Sequence, residues 1–157
     1  LSFDPNIRES LWKDMEDART QMAYGLSVCD ILKISDNEIQ WFSGKEDYTE
    51  GIHMLQQTYQ IPLILLSMGK DGSRAYYKDM LVEVPAFLQK NTIETTGAGD
   101  TFGACCLHHI LKYGLDNLTK QQLKEMLTFA NAAASIITTR KGALRVMPSL
   151  EEIQRLL

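Results

Sequence analysis

Ile93-Glu94-Thr95-Thr96-Gly97-Ala98-Gly99-Asp100-Thr101-Phe102-Gly103 is the stretch on which the reading of this chain turns. It joins an extended segment, residues 90–94, to a helix through two glycines, and it leaves a carboxylate at the helix mouth. Backbone N–H groups at a helix N-terminus attract anions, and glycine lets a phosphate approach them closely. An acid in that place repels a phosphate, so Asp100 needs a separate reason to be there. Proton abstraction beside a phosphoryl group is one; an acid favoured by the helix dipole is the plainer alternative.

Working outward, strands and helices alternate. Residues 1–3 read as a short strand ended by the turn Asp4-Pro5-Asn6. Ser10 is placed to cap a helix whose apolar face is Leu11, Met15, Ala18, Met22 and Leu26. Residues 30–34 form a short apolar strand, residues 35–42 start a helix, and Tyr48–Tyr59 is a second one. Pro62-Leu63-Ile64-Leu65-Leu66-Ser67 is a continuous apolar run, as expected for a strand covered on both faces. Gly69 and Gly72 bracket a turn before a hairpin of residues 73–78 and 81–84. The helix after Gly99 carries Phe102, Cys105, Cys106, His109 and Ile110 and ends near Gly114. Thr119 and Gln122 form a capping box, as do Ser149 and Glu152, with a loop over 138–147 between those two helices. The pattern predicts an α/β fold: a mostly parallel sheet with helices on both faces, plus a β-hairpin, in one domain over residues 1–157. Ligands of such sheets bind beyond the carboxyl ends of the strands.

The composition narrows the function classes. In 157 residues, 45% are apolar, enough for a sizeable core in one domain, and the net charge of −4 carries no footprint for nucleic acid. No apolar run is long enough to span a bilayer and no signal peptide is visible, so a cytoplasmic location and no membrane partner are expected. Cys29, Cys105 and Cys106 lack metal-ligand spacing and read as reduced, buried thiols. His108 and His109 read as one solvent-facing and one core-facing ring. The acids between Asp14 and Asp17 read as a solvated helix face. The chain begins at Leu1, in what reads as a buried strand, and is expected to be part of a longer polypeptide.

The familiar phosphate loops do not fit. Gly69-Lys70 is followed by Asp71 and lacks the first glycine of a Walker loop, and Gly97-Ala98-Gly99 meets Phe102 where a dinucleotide fingerprint needs its third glycine. A different family does fit. Thr95-Thr96-Gly97-Ala98-Gly99-Asp100 resembles the signature Asp-Thr-Thr-Gly-Ala-Gly-Asp of the ribokinase-like (PfkB) carbohydrate kinases, with Glu94 in place of the leading Asp. Four further stretches resemble that family in order. Phe3-Asp4-Pro5-Asn6-Ile7-Arg8 with Leu11-Trp12 looks like its fructokinase and ketodeoxygluconate kinase branch. Lys33-Ile34-Ser35-Asp36-Asn37-Glu38 looks like its Asn-x-x-Glu region, with Ser35 for Asn. Ser67-Met68-Gly69-Lys70-Asp71-Gly72-Ser73 resembles its nucleotide turn, and Arg140-Lys141-Gly142-Ala143 through Met147-Pro148 the loop before its last helix.

The resemblance covers the whole chain but only the C-terminal half of that fold; none of these residues is expected to supply the N-terminal half or the β-sheet lid, through which the family commonly forms homodimers. It implies a transferase: an ATP-dependent sugar kinase that moves the γ-phosphoryl of Mg-ATP to a sugar hydroxyl, with fructose to fructose 6-phosphate as the leading reaction. A kinase for 2-keto-3-deoxygluconate or another sugar is the alternative, and a nucleotide-binding fragment without activity of its own is the reading from a different class.

The resemblance also assigns residues. Asp100 would be the base and the N–H groups of Gly97, Ala98 and Gly99 the anion hole. Ser67, Gly69, Lys70, Gly72, Asn131 and Thr96 would line the nucleotide, and Asn6 and Arg8 would face phosphate or substrate. Glu38 would organise Mg²⁺ through water. Glu94, with Thr96 and the 138–143 loop, matches a monovalent-cation (K⁺) site, where the extra methylene relative to Asp bears directly on whether the cation fits. Each has a structural alternative: a capping box for Ser35 and Glu38, turn chemistry for Asn6, a surface cation for Arg8, a plain turn for Gly69 and Gly72, and a satisfied helix-edge amide for Asn131.

Overall fold

The structure, a computed structural model, describes residues 1–157. Its strands form one open sheet in the order β1-β2-β3-β4-β5, and its contacts group into two compact units, residues 1–67 with 76–79 and residues 68–75 with 80–157. The sheet is mixed: β1 to β3 are parallel and the last two strands are the expected hairpin.

In the first unit β1 (Ser2–Phe3) pairs with β2 (Ile31–Ser35), which pairs with β3 (Leu63–Ser67) in a register that sets Ile31 beside Leu63 and Ser35 beside Ser67. The carboxyl ends of β2 and β3 therefore lie side by side. Leu63, Ile64, Leu65 and Leu66 are all buried, so both faces of β3 are covered, as its unbroken apolar run requires. The crossovers are α1 (Met15–Val28) and the pair α2 (Asp36–Ser43) and α3 (Tyr48–Tyr59). Gly25 lets α1 lie close to the first strand: a Cβ there would sit 2.5 Å from the Phe3 ring.

The start of α1 differs from the sequence expectation. Asp14, not Ser10, is the N-cap, accepting from the Glu16 N–H at 2.9 Å, and Glu9–Leu11 is a single 3₁₀ turn with no cap bond from Ser10. Leu11 is consequently 80% exposed, while Ala18, Met22 and Leu26 are buried as the spacing predicted. The carboxylate of Asp14 wins because it both accepts a backbone bond and meets the positive end of the helix dipole. Ser35 does cap α2, with the reciprocal Glu38 bond of a full capping box.

In the second unit the chain turns through Gly69–Asp71, a 3₁₀ turn closed by the Met68 N–H on the Gly72 carbonyl at 2.9 Å. Gly72 has φ +96°, and a Cβ there would lie 2.2 Å from the Val84 carbonyl oxygen, so no other residue fits. Strands β4 (Ser73–Tyr77) and β5 (Met80–Val84) follow, tied by an Arg74–Glu83 ion pair at 2.6 Å. Residues 90–94, expected to be extended, belong to no strand; the Ile93 and Glu94 N–H groups instead both donate to the Thr138 carbonyl. Helix α4 (Ala98–Tyr113) packs on α5 (Lys120–Ile137), whose buried stripe includes Leu123, Met126, Leu127, Ala130 and Ile137. Helix α6 (Leu150–Leu156) seats Ile153 on Ala132 and Ala133 of α5. Both predicted capping boxes, Thr119–Gln122 and Ser149–Glu152, are formed.

The three thiols are free, with Cys29 and Cys106 buried and Cys105 half-buried; burial pushes the Cys105 thiol up to about 11. His108 is exposed, and His109 lies against the Phe129 ring at 5.2 Å. No helix is long and apolar enough to cross a membrane.

Candidate active site

The glycine stretch forms an open helix mouth. Gly97 is the N-cap of α4 with φ +79°, and it contributes no side-chain cap. The Thr101 N–H donates to the Gly97 carbonyl at 2.9 Å, and the Ala98 N–H donates to the Thr95 carbonyl at 3.1 Å. That second bond corrects one sequence assignment. The Ala98 amide closes a turn, so the free donors at this mouth are those of Gly97, Gly99 and Asp100. Free amides in the first turn are the anion-attracting end of a helix. Gly97 is required twice over: its φ lies in the left-handed region, and a Cβ would meet the Ala143 Cβ at 3.0 Å.

Asp100 stands exposed in the first turn, and its carboxylate makes no hydrogen bond or ion pair within the chain. An acid serving only as a helix cap normally accepts a backbone N–H; this one does not. Thr101, next in the helix, is 3% exposed and its hydroxyl oxygen has no partner. Thr96 is exposed just before the mouth.

Around Gly69 the backbone is exposed with φ +53°, and Lys70 is exposed beside it. Asn131, 8% exposed, is more deeply engaged than its place at the edge of a stripe implied. Its Oδ1 accepts from the Ser73 hydroxyl at 2.9 Å, and its Nδ2 donates to the Val84 and Pro85 carbonyls at 3.2 and 3.1 Å. The amide thus locks α5 to the start of β4 and the end of β5, holding the turn that carries Gly69 and Lys70.

Glu94 carries a bond that the sequence gave no sign of. Its Oε1 accepts from the Gly142 N–H at 2.6 Å. The Thr138 carbonyl accepts from both Ile93 and Glu94, which fills its two lone pairs. Of the oxygens expected to ligate a monovalent cation, one from Glu94 and the Thr138 carbonyl are therefore already engaged by N–H donors, and these two fit K⁺ poorly.

In the first unit, Glu38 accepts three bonds. Oε2 takes the Ser35 N–H and hydroxyl, each at 2.8 Å, and Oε1 takes the Ile7 N–H at 2.9 Å. A carboxylate offers about four acceptor positions, so roughly one remains, enough for a water. The Ile7 bond fixes the turn between Asn6, which has φ +44°, and Arg8. Lys33 pairs with Asp4 at 3.2 Å in the same turn, a contact not anticipated from sequence. Ser67, at the end of β3, donates to the Ile34 carbonyl at 3.5 Å. No cluster of three or more His, Cys, Asp or Glu side chains forms a metal site.

A glycine-lined helix mouth, a free first-turn carboxylate and a strand-turn with an exposed lysine are the geometry to set beside known proteins. The sequence profile of the pfkB family carbohydrate kinases matches residues 1–150. The chain belongs to that family. The pfkB-family relatives it resembles include a fructokinase of Klebsiella pneumoniae, 36% identical over 99% of this chain and 50% of the relative. Fructokinase-1 of Zea mays is 35% identical over 100% and 48%. Among solved structures, the fructokinase of Vibrio cholerae O395 in a fructose-, ADP- and calcium-bound form superposes with a TM-score of 0.88 at 28% identity, over 99% of this chain and 50% of that one. The chain thus spans about half the length of the pfkB-family relatives it matches, and its α/β architecture is that of ribokinase-like fructokinases.

Proposed function

We propose that this chain carries the phosphoryl-transfer machinery of an ATP-dependent sugar kinase, converting fructose to fructose 6-phosphate. The observation that carries this reading is the pairing, in one helical turn, of free amides at Gly97, Gly99 and Asp100 with an Asp100 carboxylate that no group of the chain engages. Donors and an acceptor side by side suit a reaction in which a phosphoryl group arrives where a hydroxyl proton leaves. The amides donate to the phosphoryl oxygens. Asp100 orients the hydroxyl and takes its proton late, because the transition state is loose. Gly69, Lys70 and Thr96, all exposed, are the residues offered to the nucleotide, with Gly72 and Asn131 setting the turn. Asn6 and Arg8 face the substrate. Neutralisation of phosphate charge is what Mg²⁺ adds when bound, and the remaining acceptor position on Glu38 suits one of its waters.

Fructose is preferred to 2-keto-3-deoxygluconate because the Zea mays and Klebsiella pneumoniae relatives are fructokinases. A sugar-dependent ADP-release assay on the full-length protein tests the assignment. Turnover with fructose is expected, and Asp100→Ala should lower it by about a hundredfold or more. Near-normal turnover of that variant would exclude Asp100 as the base. The span of about half of each relative favours a second reading, a nucleotide-binding part that is silent alone. ATP binding by the 157-residue chain without sugar-dependent turnover identifies it.

A further inference from the structure

We propose that Glu94 is a positioning residue, whose carboxylate braces the phosphate-binding mouth by a direct hydrogen bond to Gly142 and makes a bound monovalent cation unnecessary there. The proposal rests on the reading of α4 as the phosphoryl site.

Three contacts join the segment before α4 to the loop after α5. The Ile93 and Glu94 N–H groups converge on the Thr138 carbonyl at 2.8 and 3.3 Å. Glu94 Oε1 accepts from the Gly142 N–H across 48 residues of sequence. Gly97 lies so close to Ala143 that a Cβ would approach it at 3.0 Å. The loop is anchored at its far side as well: Arg140 donates to the Val146 carbonyl at 3.1 Å and pairs with Glu152 on α6. Gly97 thus sits on a loop held at both ends; on the mouth side the Thr138 carbonyl holds its start and the Glu94 carboxylate holds it at Gly142, beside Ala143.

Side-chain length decides whether this works. The bond is 2.6 Å long. Shortening Glu to Asp withdraws the carboxylate by about 1.5 Å, beyond hydrogen-bond range of an amide that does not move. An Asp there leaves a gap between carboxylate and loop that an ion or water has to fill; Glu spans it. A charge-assisted bond to a half-buried amide is among the stronger single ties available, so its loss should be felt at Gly97 and along the first turn of α4.

The test compares wild type with Glu94→Gln, which keeps an acceptor at the same reach, and with Glu94→Asp and Glu94→Ala, which do not. Amide exchange by ¹⁵N NMR reads the brace directly. Gly142 should be protected in wild type and Glu94→Gln, and should lose about tenfold or more of its protection in the Asp and Ala forms. The Gly99 and Asp100 amide signals should move in the same two variants only. Mg-ATP titration should show affinity weakened about tenfold in Glu94→Ala and restored in Glu94→Gln, with wild type indifferent to exchange of KCl for choline chloride, whose bulky cation cannot enter such a site. An unprotected Gly142 in wild type, a Glu94→Gln form as impaired as Glu94→Ala, or a wild type that needs K⁺ overturns the proposal. If wild type binds no ATP while the amide pattern appears as expected, the brace stands and the kinase reading fails.

Discussion

The backbone N–H of Ile7 donates to the Glu38 carboxylate at 2.9 Å, joining the turn after β1 to the first turn of α2 across 31 residues. The same carboxylate closes the capping box with Ser35. One side chain therefore does two jobs: it starts a helix, and it sets the conformation of Asn6-Ile7-Arg8. Glu38→Ala removes the acceptor for three donors and should destabilise the chain by about 1–3 kcal/mol in denaturant unfolding. Glu38→Gln, which retains one carbonyl oxygen, should lose less. Equal losses in the two variants would mean the Ile7 bond contributes nothing.

Two glycines six places apart should respond oppositely to alanine. Gly97→Ala forces a Cβ onto Ala143 at a φ of +79°, and should cost about 1–2 kcal/mol or more. Gly103 lies within α4 with open space where its Cβ would go, so Gly103→Ala should stabilise by about 0.5–1 kcal/mol. Thermal unfolding of both variants reads the sign. A stable Gly97→Ala would show that the mouth relaxes, and ATP titration of that variant would show at what cost.

Asn131 is a buried polar residue on the mostly apolar inner face of α5, one turn before Ser135. Asn131→Ala leaves the Ser73 hydroxyl and the Val84 and Pro85 carbonyls without this partner, and should destabilise by about 1–3 kcal/mol. Asn131→Leu, which fills the volume but pairs nothing, should not recover the loss. Recovery by leucine, seen in equilibrium unfolding, would make the site one of packing rather than of hydrogen bonding.

The carboxyl group of Glu152 is held below its ordinary value of 4.5, first by the Ser149 N–H and then by Arg140. A group depressed in the folded state contributes stability above its unfolded value, and that contribution fades as pH falls through the lowered folded one. Wild type should therefore lose stability more steeply than Glu152→Gln below about pH 4.5. Unfolding midpoints measured from pH 6 to pH 3 for both forms should converge at the acid end. Parallel curves would show that the pairing with Arg140 and Ser149 adds nothing.

Much of the fold was legible because its rules are local. Ser35 and Glu38, Thr119 and Gln122, and Ser149 and Glu152 each sit three residues apart, so a capping box is written in spacing alone. The unbroken run in β3 announced a strand covered on both faces. Ser10 and Asp14 show the limit of such rules: both are good caps by residue type, and spacing alone did not say that Asp14 would take the role. The glycine mouth was legible as a motif, yet which amides stay free was not, because the Ala98–Thr95 bond depends on a backbone turn rather than on residue type.

By itself, then, the sequence determined the α/β pattern, the three capping boxes, the glycine mouth and its acid, all encoded within a few residues of one another. Only the tertiary structure decided what holds these pieces in place. Ile7 with Glu38, Ser73 with Asn131, and Gly142 with Glu94 are separated by 31, 58 and 48 residues. No periodicity links such partners. Backbone N–H groups of Ile7 and Gly142 are common to nearly every residue type, so only folding, which brings one particular amide within 3 Å of one particular carboxylate, gives them a role.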